Sequence, residues 1–125
     1  ACAKYYNSRL PSEEEWNWIE TNRNKTGFPY GLEIPVLYEI STEFTDILSC
    51  QNSRSVSLMG LVHLYGNTWE YTTTVKNSED KTLVCLKGGD WKVPNFILNN
   101  NLKMYLEKDI RDYSTGFRII KNNRD

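Results

Sequence analysis

The sequence lacks an excess of charge of either sign. Its 15 Lys and Arg stand against 16 Asp and Glu, for a formal net charge of -1. Nucleic acid and anionic membrane surfaces are gripped by concentrated basic residues, so neither partner is expected. No apolar run approaches the ~20 residues of a spanning helix. Histidine occurs once, as His63, and cysteine three times, as Cys2, Cys50 and Cys85, with no C-x-x-C spacing. A zinc site takes about four nitrogen or sulfur ligands, and scattered thiols with one imidazole make a poor set. The cysteines read either as small buried hydrophobes with free thiols or as one disulfide with a thiol left over. A serine nucleophile is short of parts too. His63 is the sole imidazole base, and no G-x-S-x-G turn is present.

What is present belongs to a folded chain. At 125 residues, with 39% hydrophobic and 25% charged residues, the sequence has the size and composition of one globular domain. Four Trp and eight Tyr must be packed somewhere. Residues 1–7 read as the tail of a helix, and Arg9-Leu10-Pro11 as extended chain. Ser12 and Glu15 have the capping-box spacing, and Glu13 and Glu14 fall in the first turn, where the helix dipole favours anions. A helix therefore starts at Ser12 with Trp16, Ile19 and Trp18 on its apolar face, and Asn22, Asn24 and Gly27 end it. Strands are expected near Val36–Ile40, at Asn67–Val75, Leu83–Lys87, Leu102–Leu106 and Gly116–Lys121. Helices first, short strands later and long loops between them predict an α+β fold with antiparallel strands. Long loops on a small fold are where function usually sits.

Three stretches carry candidate chemistry. Glu70 lies between Trp69 and Tyr71, which would desolvate its carboxylate, so it needs an Arg, a metal or backbone amides as partner. Gly66-Asn67-Thr68-Trp69-Glu70 has the oxygen types that hold calcium, without the closely spaced Asp of a strong calcium loop. Gly88-Gly89-Asp90-Trp91 follows a strand, and its paired glycines imply positive φ or close backbone approach, with Trp91 as a plug. After it come Asn95, Phe96, Asn99, Asn100, Asn101, Tyr105 and Tyr113. Asn and aromatic residues are adaptable contact residues; a solvated Asn-rich loop reads the same way. Asn24-Lys25-Thr26 has the N-glycosylation acceptor pattern, which also occurs by chance.

Taken in order, the blocks Arg9-Leu10-Pro11-Ser12-Glu13-Glu14-Glu15-Trp16, Phe28-Pro29-Tyr30-Gly31, Met59 to Tyr71, Leu86-Lys87-Gly88-Gly89-Asp90-Trp91 and Gly116-Phe117-Arg118-Ile119-Ile120 form a pattern. The chain resembles the formylglycine-generating-enzyme (sulfatase-modifying factor) family, whose blocks read roughly R-L-P-T-E-A-E-W, Y-P-W-G, G-L-Y-D-M-x-G-N-V-W-E-W, R-G-G-S-W and G-F-R. The resemblance covers essentially the whole chain, except that residues 32–57 match nothing clearly. It implies a variant of the C-type-lectin fold, here a single domain over residues 1–125 short of the family's N-terminal part. Arg9, Trp16, Trp69, Gly88, Gly89, Trp91, Gly116 and Arg118 fall on scaffold positions.

The family includes oxygen-dependent enzymes that oxidise a cysteine to formylglycine, sulfoxide synthases with a separate iron-binding domain, hypervariable binding proteins of diversity-generating retroelements, and domains fused to bacterial Ser/Thr kinases. The formylglycine enzymes bind copper through two cysteines shortly after the G-G-S-W block. Here residues 91–125 contain no cysteine, and Cys85 precedes the glycines. Glu107 stands near where the family has an Arg. The family's calcium site maps onto His63, Gly66, Thr68 and Glu70, of which His63 is a poor ligand for a hard cation. No cofactor is therefore expected beyond calcium at this degenerate site. The leading expectation is a non-catalytic module that binds a protein or small-molecule ligand through residues 92–115, with Asn95, Phe96, Asn99, Asn100, Tyr105 and Tyr113 as contacts. The alternatives are an oxygen-dependent metalloenzyme whose active groups lie outside this chain, and a regulatory appendage of a kinase.

Overall fold

Ser12 closes the first turn of the main helix in the manner its spacing predicts. The computed structural model describes residues 2–21, 61, 63–93 and 101–121. In it the N–H of Glu15 donates to Ser12 Oγ (3.1 Å), and the N–H of Ser12 donates to the Glu15 carboxylate (2.8 Å). This reciprocal pair satisfies two orphan donors of helix α2, which spans Glu13–Thr21. Arg9 grips the same carboxylate through both terminal nitrogens at 2.6 Å. Ahead of it lie the one-turn helix α1 (Cys2–Tyr5) and strand β1 (Ser8–Arg9).

The helix buries a narrower face than expected. Trp16 is fully buried and Ile19 half-buried, but Trp18 is 52% exposed. At 3.6 residues per turn, a side chain two positions beyond Trp16 points to the opposite side. The expected helix end at Asn22–Gly27, the strand near Val36–Ile40 and the Asn24-Lys25-Thr26 pattern lie outside the described residues.

Four strands form the main sheet: β2 (Trp69–Ser78), β3 (Lys81–Lys87), β4 (Lys103–Glu107) and β5 (Thr115–Gly116), in the order β4-β3-β2-β5. Strand β2 is rich in Thr and aromatic residues, which suit a pleated surface. It turns into β3 through Glu79 and Asp80, with Ser78 opposite Lys81 and Glu79 at φ 52°. Its start differs from the expectation. Gly66 and Asn67 have φ of 75° and 66°, outside the strand region, so pairing begins at Trp69.

The expected strand Gly116–Lys121 is two strands. Thr115–Gly116 runs parallel to β2, and β6 (Ile120–Lys121) leaves the sheet to pair antiparallel with β1. The chain breaks there because Arg118 turns its side chain inward, as described below. The β2–β5 pair also makes the sheet mixed rather than purely antiparallel.

The core lies between α2 and the 63–68 loop. Trp16, Leu64 and Tyr65 are buried, with Leu61, Val93 and Leu102 packed against them. The rings of Trp16 and Tyr65 meet edge to face at 5.5 Å between centroids, a favoured aromatic geometry. No helix among the described residues is long and apolar enough to cross a membrane.

Candidate functional site

Three segments distant in sequence converge on one carboxylate. Glu70 opens β2 and is 6% exposed. Its Oε1 accepts from Arg118 Nη2 (2.5 Å), and its Oε2 accepts from Arg118 Nε (2.5 Å) and Trp16 Nε1 (3.1 Å). Arg118 Nη2 also donates to the His63 carbonyl at 3.2 Å. One guanidinium thus holds strand β2 and the 63–68 loop, and the carboxylate hands the link on to α2. The partner that Glu70 required on desolvation grounds is this arginine, a planar fork matched to a carboxylate.

The 63–68 loop is shaped by backbone chirality. His63, Gly66 and Asn67 all have positive φ. The N–H of Gly66 donates to Gly88 O (2.9 Å), that of Trp91 to Asn67 O (3.2 Å), and that of Trp69 to Ser114 O (2.8 Å). Gly88 has φ 92°, and a Cβ there would stand 3.1 Å from the Leu64 carbonyl. Only glycine fits both demands. At Gly116 the constraint is space alone, since a Cβ would meet Thr68 Oγ1 at 3.0 Å.

Of the four positions of the degenerate calcium site, His63, Gly66 and Thr68 fall on this loop and Glu70 on the start of β2. Both oxygens of Glu70 already face the positive charge of Arg118, so a cation would have to displace that side chain. No group of three or more His, Cys, Asp or Glu side chains among the described residues is placed to hold a metal ion. Of the other scaffold positions, Trp69 is buried and Trp91 half-buried, with the Trp91 ring N–H enclosed and without a partner.

Cys85, on β3, is fully buried and free. Burial pushes its thiol up, and the nearby charge of Glu13 adds to the effect. Glu13 is itself held low by its hydrogen bond to Lys103 (2.8 Å). A thiol kept protonated in this way is neither a nucleophile nor a ready metal ligand. Lys87, adjacent to the glycine pair, is also fully buried, with its Nζ 5.3 Å from the Trp16 ring centroid. Sequence reasoning missed it, because lysine reads as a surface residue.

The expected ligand contacts divide. Asn95, Phe96, Asn99 and Asn100 lie outside the described residues. Tyr105 sits half-buried on β4 with Lys76 Nζ 3.8 Å above its ring and Lys103 Nζ at 5.9 Å. Tyr113 is 71% exposed on the loop into β5. That loop is braced by Asp112, whose Oδ1 accepts from the N–H and the hydroxyl of Ser114 at 2.8 Å. These bonds hold the Asp112 carboxyl below its ordinary value. The sequence also gave no sign of an apolar groove of about 420 Å³ against β1, lined by Ala3, Leu10, Tyr71 and Phe117 with Lys4 and Arg9 beside them. Phe117 was visible only as part of a scaffold block, and its 51% exposure follows from Arg118, its neighbour, pointing inward.

The sequence profile of the sulfatase-modifying factor enzyme 1-like domain matches residues 1–123. The chain belongs to that family. No curated protein matches it in sequence. Among solved structures it is similar to Treponema denticola variable protein 1 (TM-score 0.71, 17% identity), covering 90% of this chain and 46% of that one. It is similar to CarF (TM-score 0.70, 16% identity, 90% of this chain and 46% of that one). PvdO from Pseudomonas aeruginosa is also similar (TM-score 0.63, 17% identity, 90% of this chain and 51% of that one). At these identities the likeness establishes the fold, a C-type-lectin-like α+β domain. The family chain described here spans about half the length of each of these structures.

Proposed function

We propose that this sulfatase-modifying factor-like chain is a non-catalytic module that binds a protein or small-molecule ligand through residues 92–115. The observation that carries the reading is the state of the thiols. No cysteine follows Cys85, and Cys85 itself is enclosed in the sheet with its proton held on. Copper chemistry of the family's kind needs exposed thiolates beyond the glycine pair. The other charged candidate, Glu70, is consumed by Arg118 and Trp16 as an internal tie. Among the described residues of that segment, Tyr113 stands exposed in the braced loop and Tyr105 half-buried on β4, beside turns fixed by glycine. A rigid scaffold beneath changeable loops is how a binding surface is built, and one protein of similar fold is named a variable protein.

The test is selection of binders to the intact protein from a peptide-display library and a small-molecule array. Selected binders should lose about tenfold or more in affinity on Tyr105→Ala or Tyr113→Ala, with melting temperature unchanged. Binders indifferent to both changes would refute the assignment. So would oxygen consumption with a cysteine-containing peptide after copper(I) loading.

A further inference from the structure

Among the described residues strand β4 is the last strand of its sheet, and its backbone polarity can be read from its neighbours. The N–H of Lys108 donates to Thr82 O at 3.0 Å. In an antiparallel pair, bonded and non-bonded rows alternate. With Leu106 opposite Val84 and Met104 opposite Leu86, those rows bond toward β3. The hairpin agrees: Ser78 opposite Lys81 closes a two-residue turn, so the odd residues of β3 bond toward β2 and the even ones toward β4. Lys103, Tyr105 and Glu107 therefore aim their N–H and C=O groups away from the sheet. Among the described residues, the sole bond on that edge is from Ile110 N–H to Glu107 O (3.0 Å).

An open edge is a template for another strand. The devices that blunt edges are mostly missing here. Strand β4 has no proline and no bulge, and its end charges, Lys103 and Glu107, already pair within the subunit with Glu13 (2.8 Å) and Lys81 (2.6 Å), exposed pairs that a partner strand would share. Its sequence, Lys103-Met104-Tyr105-Leu106-Glu107, is complementary to itself when reversed. Centred on Tyr105 and antiparallel, it sets Lys103 against Glu107 of the partner subunit, Met104 against Leu106 of the partner subunit, and Tyr105 against Tyr105 of the partner subunit. The same register places the outward-facing rows opposite one another as bonded rows, so backbone and side chains agree. Parallel pairing would oppose lysine to lysine and glutamate to glutamate. A slip of two residues keeps the hydrogen bonds but loses both charge pairs.

We propose that β4 pairs with β4 of a second copy, joining two four-stranded sheets into one across a two-fold axis through Tyr105. A two-fold contact needs a self-complementary patch, which this strand is. On one face the pairing would extend a partly exposed apolar row: Met104 and Leu106 are half-buried, Val75 is 54% exposed and Ile110 45% exposed. On the other it would set two Tyr105 rings, each with its Lys76, side by side, which makes any ligand surface there bivalent. The proposal stands apart from the binding role, since a dimer requires no ligand. A single five-residue edge is small for an interface, so the association is weak and transient in class.

Sedimentation equilibrium of the intact protein from about 5 µM to about 1 mM should show a monomer–dimer equilibrium. Tyr105→Pro removes an N–H that the monomer does not bond, and should weaken dimerisation at least about tenfold. Lys103→Glu opposes glutamate to glutamate twice and should weaken it by about tenfold. The swap Lys103→Glu with Glu107→Lys should restore it, which tests register without depending on a proline. Monomer alone over the whole range would overturn the proposal. So would a dimer indifferent to these changes, a swap that fails to rescue, or an added extended peptide occupying β4 of a monomer.

Discussion

Two ion pairs of nearly equal length are anchored on strands of the main sheet. Glu70 and Arg118 meet at 2.5 Å with side chains 8% and 20% exposed; Lys81 and Glu107 meet at 2.6 Å with side chains 62% and 40% exposed. Distance does not separate them, but surroundings do. The outer pair is screened by water and is worth little. The inner pair has been taken out of water, where further hydrogen bonds decide its stability, and Trp16 and the His63 carbonyl supply one each. Both oxygens of the Glu70 carboxylate are therefore engaged within the domain, whereas the β4 side leaves backbone groups open to a partner.

The sharpest way to break this contrast is at the inner pair. Glu70→Gln removes the buried charge that Arg118 grips through two nitrogens and should cost about 3–5 kcal/mol, read as a large fall in melting temperature. Adding Arg118→Met should recover part of that loss. Lys81→Met, the matched outer change, should cost less than about 1 kcal/mol. If the two single changes cost the same, the comparison fails.

Next in size is Gly88→Ala. Its φ of 92° and the Leu64 carbonyl at 3.1 Å from a Cβ penalise alanine twice, by about 2 kcal/mol in chemical denaturation.

The smallest effect is a pH dependence at the start of α2. Arg9 and the Ser12 N–H hold the Glu15 carboxyl down from its ordinary 4.5 to about 2. A depressed carboxyl contributes stability that is full above its unfolded value and is lost as pH falls through the folded one. Glu13 is shifted the same way by Lys103, and Asp112 by Ser114. Stability should therefore decline between about pH 4.5 and about pH 2. Glu15→Gln should lower stability at neutral pH and flatten that decline. An unchanged acid limb would show that Glu15 contributes nothing to it.

What the sequence made legible was local or encoded by a single residue type. The Ser12–Glu15 cap needs three residues of reach, and the geometry is as expected. The paired glycines implied positive φ, and both have it. Glu70 was recognisably short of a partner because its neighbours are aromatic, but the partner lies 48 residues on, and desolvation does not say which arginine answers. For the same reason Gly116–Lys121 reads as one strand: nothing local reveals that Arg118 must turn inward. Trp18 reads as apolar face by its composition, against its helical angle. The burial of Lys87 leaves no local signal, because burying a lysine depends on what the fold packs around it. The proposed ligand contacts are legible only as a composition of Asn and aromatic residues, and of them the structure describes Tyr105 and Tyr113.

The pairing of β1 with β6 sets Ser8 beside Lys121. Among the described residues neither strand pairs with any other, so this two-stranded ribbon is a clasp set apart from the main sheet. Because the strands run antiparallel with Ser8 facing Lys121, a force that draws those two residues apart opens the clasp rung by rung instead of shearing it.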